Sequence, residues 1–294
     1  EFFFIFFLSL IAYAASIVLN WVLAQILSID LFGDFGLGYK FFSMVNMLLT
    51  LGTSQVISRF FALFYATKDE ERLKKFVNWL FNFIPTGLGV FLLIYFIFIL
   101  TLIHLHIFGL KDIASYHLTF YFLWVSPLGV LYTVFCVFLN SYNRAVLYAF
   151  LNKSAPLLLM LVGVVLCYLL KIELNYITLS LLLLCTYFIL NLFVIIFVRK
   201  KDLKTCFLTL LFRNKKSKEN TGEEKQWRKL SFQLLAGNIT YRIVCLLDLL
   251  IINIILGSRF VAIYSVILLV TNLIFVLNSS NFNIINSQTS YLVE

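Results

Sequence analysis

The sequence predicts an all-α, polytopic transmembrane bundle of about eight spans, and three observations carry that prediction. Of 294 residues, 62% are hydrophobic and 13% charged, whereas a soluble domain is about half apolar and about a quarter charged. The apolar runs reach the roughly 20 residues that cross a bilayer as helix, and they lack the strict alternation of barrel strands. Lys and Arg are concentrated in every second loop, the bias that separates a cytoplasmic from an outer face.

The expected spans are 2–29, 41–66, 76–103, 116–140, 146–170, 174–198, 230–256 and 260–282. The first is read as a span and not a signal peptide, because no basic region precedes it and no small-residue cleavage site follows. Pro85-Thr86-Gly87 and Pro127-Leu128-Gly129 interrupt the third and fourth, where a missing N–H permits a kink.

Orientation follows from the basic residues. The loops after spans two, four and six hold seventeen, among them Lys68, Arg72, Lys74, Lys75, Arg144 and Lys153. The loops after spans one, three, five and seven hold four: Lys40, Lys111, Lys171 and Arg259. The expected N-terminus is therefore cytoplasmic. Anionic lipid at that face accounts for the net charge of +9, so no nucleic-acid partner is needed. Residues 199–229 form a cytoplasmic basic linker between an N-terminal lobe, 1–198, and a second lobe that begins at 230. Within it Leu203 to Phe212 is too short to span and lies between basic clusters, as an interfacial helix would.

Cys136, Cys167, Cys185, Cys206 and Cys245 show no paired spacing and read as small apolar residues. His104, His106 and His117 have no carboxylate or thiol at metal-binding spacing. Neither metal, cofactor nor catalytic residue is expected.

The informative residues are polar groups inside spans, where an ionised side chain costs about 2.5–3.5 kcal/mol on insertion scales. Arg59, Arg242 and Asp248 stand out. In span two, Ser43, Asn46, Thr50, Ser54 and Ser58 recur on one helical face expected to point inward, with Arg59 on the adjoining stripe. Arg59 lies close enough to the basic end for snorkelling to compete with a ligand role. Arg242 and Asp248 are six residues apart, about 120° around a helix and about 9 Å along it, so each needs a partner elsewhere. In span eight, Ser265, Asn272, Ser279 and Asn286 recur every seven residues, as a helix contact or the lining of an aqueous path would.

Two regions then carry a family resemblance. LSIDLFGDFGLGYKF, read as a glycine turn, leads into LLTLGTSQVISRFFALF and the basic KDEERLKKF. After the linker, WRKLSFQLLAGN and Asp248 precede IILGSRFVAIYSV. This layout resembles the multidrug/oligosaccharidyl-lipid/polysaccharide exporter superfamily, in particular the bacterial polysaccharide flippases that move undecaprenyl-linked O-antigen or related units. Gln25 stands where the family commonly has a basic residue, and Ala262 where it has glycine. The resemblance implies a complete six-helix first lobe, the first two helices of a second, and alternating access in the inner membrane. Since the family has twelve to fourteen spans, a fragment or truncation is expected. The ligand it implies is an undecaprenyl-diphosphate-linked oligosaccharide. Arg59, Arg242, Asn272 and Ser279 are then the expected substrate-binding residues and Asp248 the ion-coupling one. A drug or cation exporter of the same superfamily is the alternative, weakened by the absence of acidic residues from the expected spans one to six. A membrane polymerase or transferase is the other, weakened by short outer loops and the lack of clustered carboxylates.

Overall fold

The computed structural model describes residues 2–107, 117–142, 144–199 and 222–271, and every regular element among them is a helix. In chain order these are α1 (Phe2–Ile26), α2 (Ile29–Leu49), α3 (Thr53–Ala66), α4 (Glu70–Ile107), α5 (His117–Leu123), α6 (Ser126–Ser141), α7 (Ala145–Leu169), α8 (Tyr176–Arg199), α9 (Gly222–Leu256) and α10 (Ser258–Thr271). Four helices are long and apolar enough to cross a membrane, and the bent pair α2–α3 makes a fifth. Their length and composition are those of membrane-spanning helices. The interfacial helix expected at Leu203 to Phe212 lies outside the described residues.

The largest departure from expectation is at α2. The glycine-rich stretch read as a turn is helical from Ile29, where the Ser28 side chain caps the Leu31 amide. Its glycines serve approach and not turning, as small residues do wherever membrane helices touch. A Cβ on Gly33 would lie 1.9 Å from the Ser258 carbonyl oxygen of α10, and one on Gly38 would lie 3.4 Å from the Thr119 backbone of α5. The helix ends instead at Leu51 (φ 51°) and Gly52 (φ 71°), where the chain bends by 54° into α3. The expected polar face of span two is thus divided. Asn46 and Thr50 are buried on α2, while the Ser58 hydroxyl of α3 donates to the Ser54 carbonyl of its own helix.

The two proline sites behave differently. Pro85 is accommodated within continuous α4. At Pro127 the chain breaks, α5 stopping at Leu123 and α6 starting at Ser126, because proline offers no N–H to the Leu123 carbonyl. Pro156 has a related effect in α7: without its N–H the preceding turn, Phe150–Ser154, widens into a π-turn. The carbonyls so displaced find side chains, and Tyr132 Oη donates to the Leu151 carbonyl.

The first eight helices share one core, centred on Phe42, Phe61, Phe76, Phe122 and Leu151. Cys136 is buried in it as expected, but Cys185 is exposed on α8. The seventh expected span begins eight residues early, at Gly222, and its added turns carry Trp227 into an aromatic cluster. Trp227 is 2% exposed, with ring centroids 5.1 Å from Phe76, 5.7 Å from Trp79, 6.2 Å from Phe64 and 6.3 Å from Phe60. An Arg72–Glu223 ion pair at 3.5 Å closes that end on the surface.

Candidate functional site: the seam between α2, α9 and α10

α9 lies along the preceding helices as one unbroken helix, held near both ends. At the basic end Ser231 Oγ donates to the Leu51 carbonyl at 2.6 Å, a carbonyl freed by the bend. Gly52 makes this possible, since a Cβ there would meet the Ser231 carbonyl oxygen at 2.2 Å. Toward the other end Leu249 joins Leu37 of α2 and Val261 of α10 in a small apolar cluster. Gly257, with φ 85°, turns the chain directly from α9 into α10.

Beside that turn sits a carboxylate the sequence reading placed in a loop. Asp34 is 5% exposed on α2 and accepts a hydrogen bond from Ser258 Oγ at 2.6 Å; Ser258 Oγ is also 3.3 Å from Asn253 Oδ1. A buried carboxyl left without a donor is costly, so this contact fastens the α9–α10 turn to α2. It puts an acid in a helix that begins ahead of the expected second span, 41–66.

Two cations were likewise read as loop residues. Lys40 lies in the fourth turn of α2, half-buried. Lys153 lies in the π-turn of α7, half-buried, its Nζ 3.2 Å from Ser9 Oγ of α1 while Ser154 Oγ donates to the Leu8 carbonyl. Replacing Lys153 with methionine is expected to leave the thermal midpoint of the purified protein unchanged or slightly raised. Methionine fills the same groove without a charge to desolvate. A fall of several degrees would show instead that the ammonium holds α7 to α1.

Of the residues singled out from the sequence, Arg59 and Asp248 are on different helices, both exposed. Arg59 is exposed on α3, within a second π-turn, Ile57–Phe61, and its guanidinium lies 5.7 Å from the Phe60 ring centroid. Phe60 in turn packs on Trp227, which sets Arg59 at the basic end of the α3–α9 contact. Asp248 is exposed on α9 and accepts from Tyr264 Oη of α10 at 3.2 Å. Asn272 and Ser279 lie outside the described residues.

Arg242 is placed by the register of α9. The buried positions of that helix, Ser231, Leu235, Leu246, Leu249 and Asn253, form the stripe that faces the rest of the bundle. Arg242 follows Leu235 by seven residues and precedes Leu246 by four, so its Cα falls on that stripe. Asp248 falls off it, in agreement with its exposure.

On α2 the matching stripe is Gly33, Gly36, Leu37 and Lys40, the first three of which meet α9 and α10. Antiparallel pairing through Leu51 and Ser231, and through Leu37 and Leu249, sets Arg242 across from the Lys40–Met44 turn. α10 runs parallel to α2, with Ser258 and Ala262 at Gly33 and Ser265 at Gly36. The next turn brings Leu269 level with Lys40, and its carbonyl accepts from Tyr13 Oη of α1 at 2.7 Å.

No protein-family model matches the chain, and no curated protein or solved structure matches it either.

Proposed function

We propose that this protein is a lipid-linked oligosaccharide flippase of the bacterial inner membrane. In this reading residues 1–198 form a six-span first lobe, α9 and α10 open a second, and the N-terminus and the 199–229 linker are cytoplasmic. The substrate is an undecaprenyl-diphosphate-linked glycan, with anionic lipids gathered at the basic face. The observation that supports it is the sign of the charge within helices. Lys40, Arg59, Lys153 and Arg242 are cations, against Asp34 and Asp248. Cations at such depth are costly unless an anion or water meets them, and a diphosphate is an anion with many acceptors. Arg59, nearest the basic end, would meet the headgroup first and Arg242 later, while Asn272 and Ser279 extend the same path and Asp248 couples an ion.

A second reading keeps some support from Asp34. A buried first-lobe acid is what a drug or cation exporter of the same superfamily would use. The flippase reading is preferred because Asp34 is engaged by Ser258 at 2.6 Å and because four of the six charges just named are cations.

Two measurements bear on this. A cysteine introduced at Ser217 should resist a membrane-impermeant maleimide in intact cells and react after permeabilisation; strong labelling of intact cells would invert the topology. Expression in a strain lacking an oligosaccharide flippase should restore surface polysaccharide, and Arg59→Ala should reduce it at equal membrane abundance. No restoration by abundant, inserted protein would contradict the assignment.

A further inference from the structure

We propose that Asn46, Ser126 and Asn191 hold one buried water molecule beside the break between α5 and α6, and that this water is the joint about which the fourth span bends. The site lies wholly among α2, α6 and α8 and is independent of the flippase reading.

Helix direction sets the three residues at one level. α2 runs the same way as α5 and α6: a Cβ on Gly38 would lie 3.4 Å from the Thr119 backbone, and one on Gly129 would lie 2.9 Å from Asn46 Oδ1. α8 is separated from α6 by the single returning helix α7 and so shares that direction. Phe42 of α2 and Tyr187 of α8 meet edge to face, with centroids 5.1 Å apart. Asn46 and Asn191 each follow by one helical turn. Between them lies the first turn of α6, where Asn191 Nδ2 donates to the Leu128 carbonyl at 2.9 Å and Gly129 leaves room for the Asn46 amide. Ser126 belongs to that turn, on the face of Gly129.

Three buried polar atoms at this level have no hydrogen-bond partner among the described residues: Asn46 Oδ1, Ser126 Oγ and Asn191 Oδ1. Their residues are 8%, 0% and 7% exposed. Turning the Asn191 amide over would not help, because its Nδ2 already donates to the Leu128 carbonyl and, at 2.8 Å, to the Tyr187 carbonyl. The Tyr187 hydroxyl is engaged by Tyr39. Water supplies the complementary set, donating to the two amide oxygens and accepting from the hydroxyl. Three bonds are typical of a buried water, and leaving the three atoms dry costs more than confining one molecule. A cation would be uncompensated, since Asp34, the nearest acid on these three helices among the described residues, is about three turns away. An anion would face two acceptors.

The position explains the use. Pro127 withholds its N–H from the Leu123 carbonyl in the adjoining turn, and helices kink at prolines and at inserted waters. A ligand that reorients lets α5 and α6 change their angle while each polar group keeps a partner.

Radiolytic hydroxyl-radical footprinting of the purified full chain in nanodiscs tests the site, because a held water makes radicals beside side chains that bulk radicals do not reach. Phe42, 1% exposed, is compared with Phe76, 0% exposed in the cluster around Trp227. Phe42 should be oxidised several-fold more than Phe76, and Asn46→Leu and Ser126→Ala should each remove most of that excess, with circular dichroism confirming the fold. Equal oxidation of the two rings in the parent, or an excess that neither variant reduces, would overturn the site. Should Asn46→Leu not fold, Ser126→Ala, which deletes only a hydroxyl, decides alone. Sodium and potassium chloride, compared with choline chloride at one ionic strength, should leave the thermal midpoint unchanged; a rise that Ser126→Ala abolishes would put a cation in place of the water and overturn the proposal. Amide hydrogen exchange reads the joint: Ser126→Ala should speed exchange at Val125 and Gly129, whose N–H groups bond across the break, several-fold while leaving α1 unchanged. Unaltered exchange there would refute the role in bending.

Discussion

Trp227→Ala is expected to destabilise the protein by about 3–5 kcal/mol, the range for deleting a large buried aromatic side chain. Trp227 packs α9 onto the α3–α4 hairpin, with four aromatic rings 5.1–6.3 Å from its own, a spacing at which edge-to-face pairs add to area burial. Its removal leaves a cavity that Phe76 and Trp79 cannot both fill, since Trp79 is itself stacked on Phe83 at 5.1 Å. The nearby Arg72–Glu223 pair is solvent-exposed and cannot compensate. Chemical unfolding in detergent, followed by the fluorescence of Trp79, would give the loss. Trp227→Phe, which keeps a ring in the cluster, should recover more than half of it. A shift below 1 kcal/mol for alanine would mean that α9 is not anchored there.

Gly33→Ala is expected to cost about 1–3 kcal/mol and to loosen the opposite end of the same helix, an overpacking effect with no flexible group to absorb it. The added methyl would lie 1.9 Å from a backbone carbonyl oxygen, that of Ser258, so α2 and α10 must separate. Separation stretches the Ser258–Asp34 hydrogen bond, leaving a buried carboxylate with one donor fewer. Gly36→Ala provides the contrast: its methyl meets only the rotatable Ser265 side chain at 2.9 Å, and a small effect is expected. A cysteine pair at positions 34 and 258 would report the spacing, its disulfide forming readily in the parent background and slowly with Gly33→Ala. Equal stability of the Gly33→Ala and Gly36→Ala proteins would rule out the close approach.

The helical and membrane character of this chain was legible because composition alone excludes a soluble core, and helix ends were legible where basic residues cluster. Charge patterning also misled. Lys40 and Lys153 were assigned to loops because a lysine usually marks one, and Asp34 because it stands among glycines. Whether FGDFGLG turns or continues as helix depends on a partner more than 220 residues away, Ser258, and local sequence holds no record of it. The π-turn at Lys153 did have a signal, Pro156, which deprives the Asn152 carbonyl of its N–H partner. The expected inward face of span two is interrupted for a related reason: Asn46 and Thr50 are buried, but Leu51 and Gly52 both adopt positive φ, so positions before and after them do not share a helical stripe. Arg242 was found for its cost, but its place opposite Lys40 could emerge only from pairing α9 with α2. The aromatic cluster was hidden because Trp227 fell in the expected linker.

The account stands or falls on whether the complete protein moves a diphosphate-linked glycolipid. In proteoliposomes prepared with an undecaprenyl-diphosphate disaccharide bearing a fluorophore, addition of a membrane-impermeant reductant would distinguish inner from outer leaflet. The account predicts that the protected fraction falls below the half seen in protein-free vesicles, and that Arg242→Gln restores protection at equal protein content. Protection that stays at one half with folded, correctly inserted protein would contradict it.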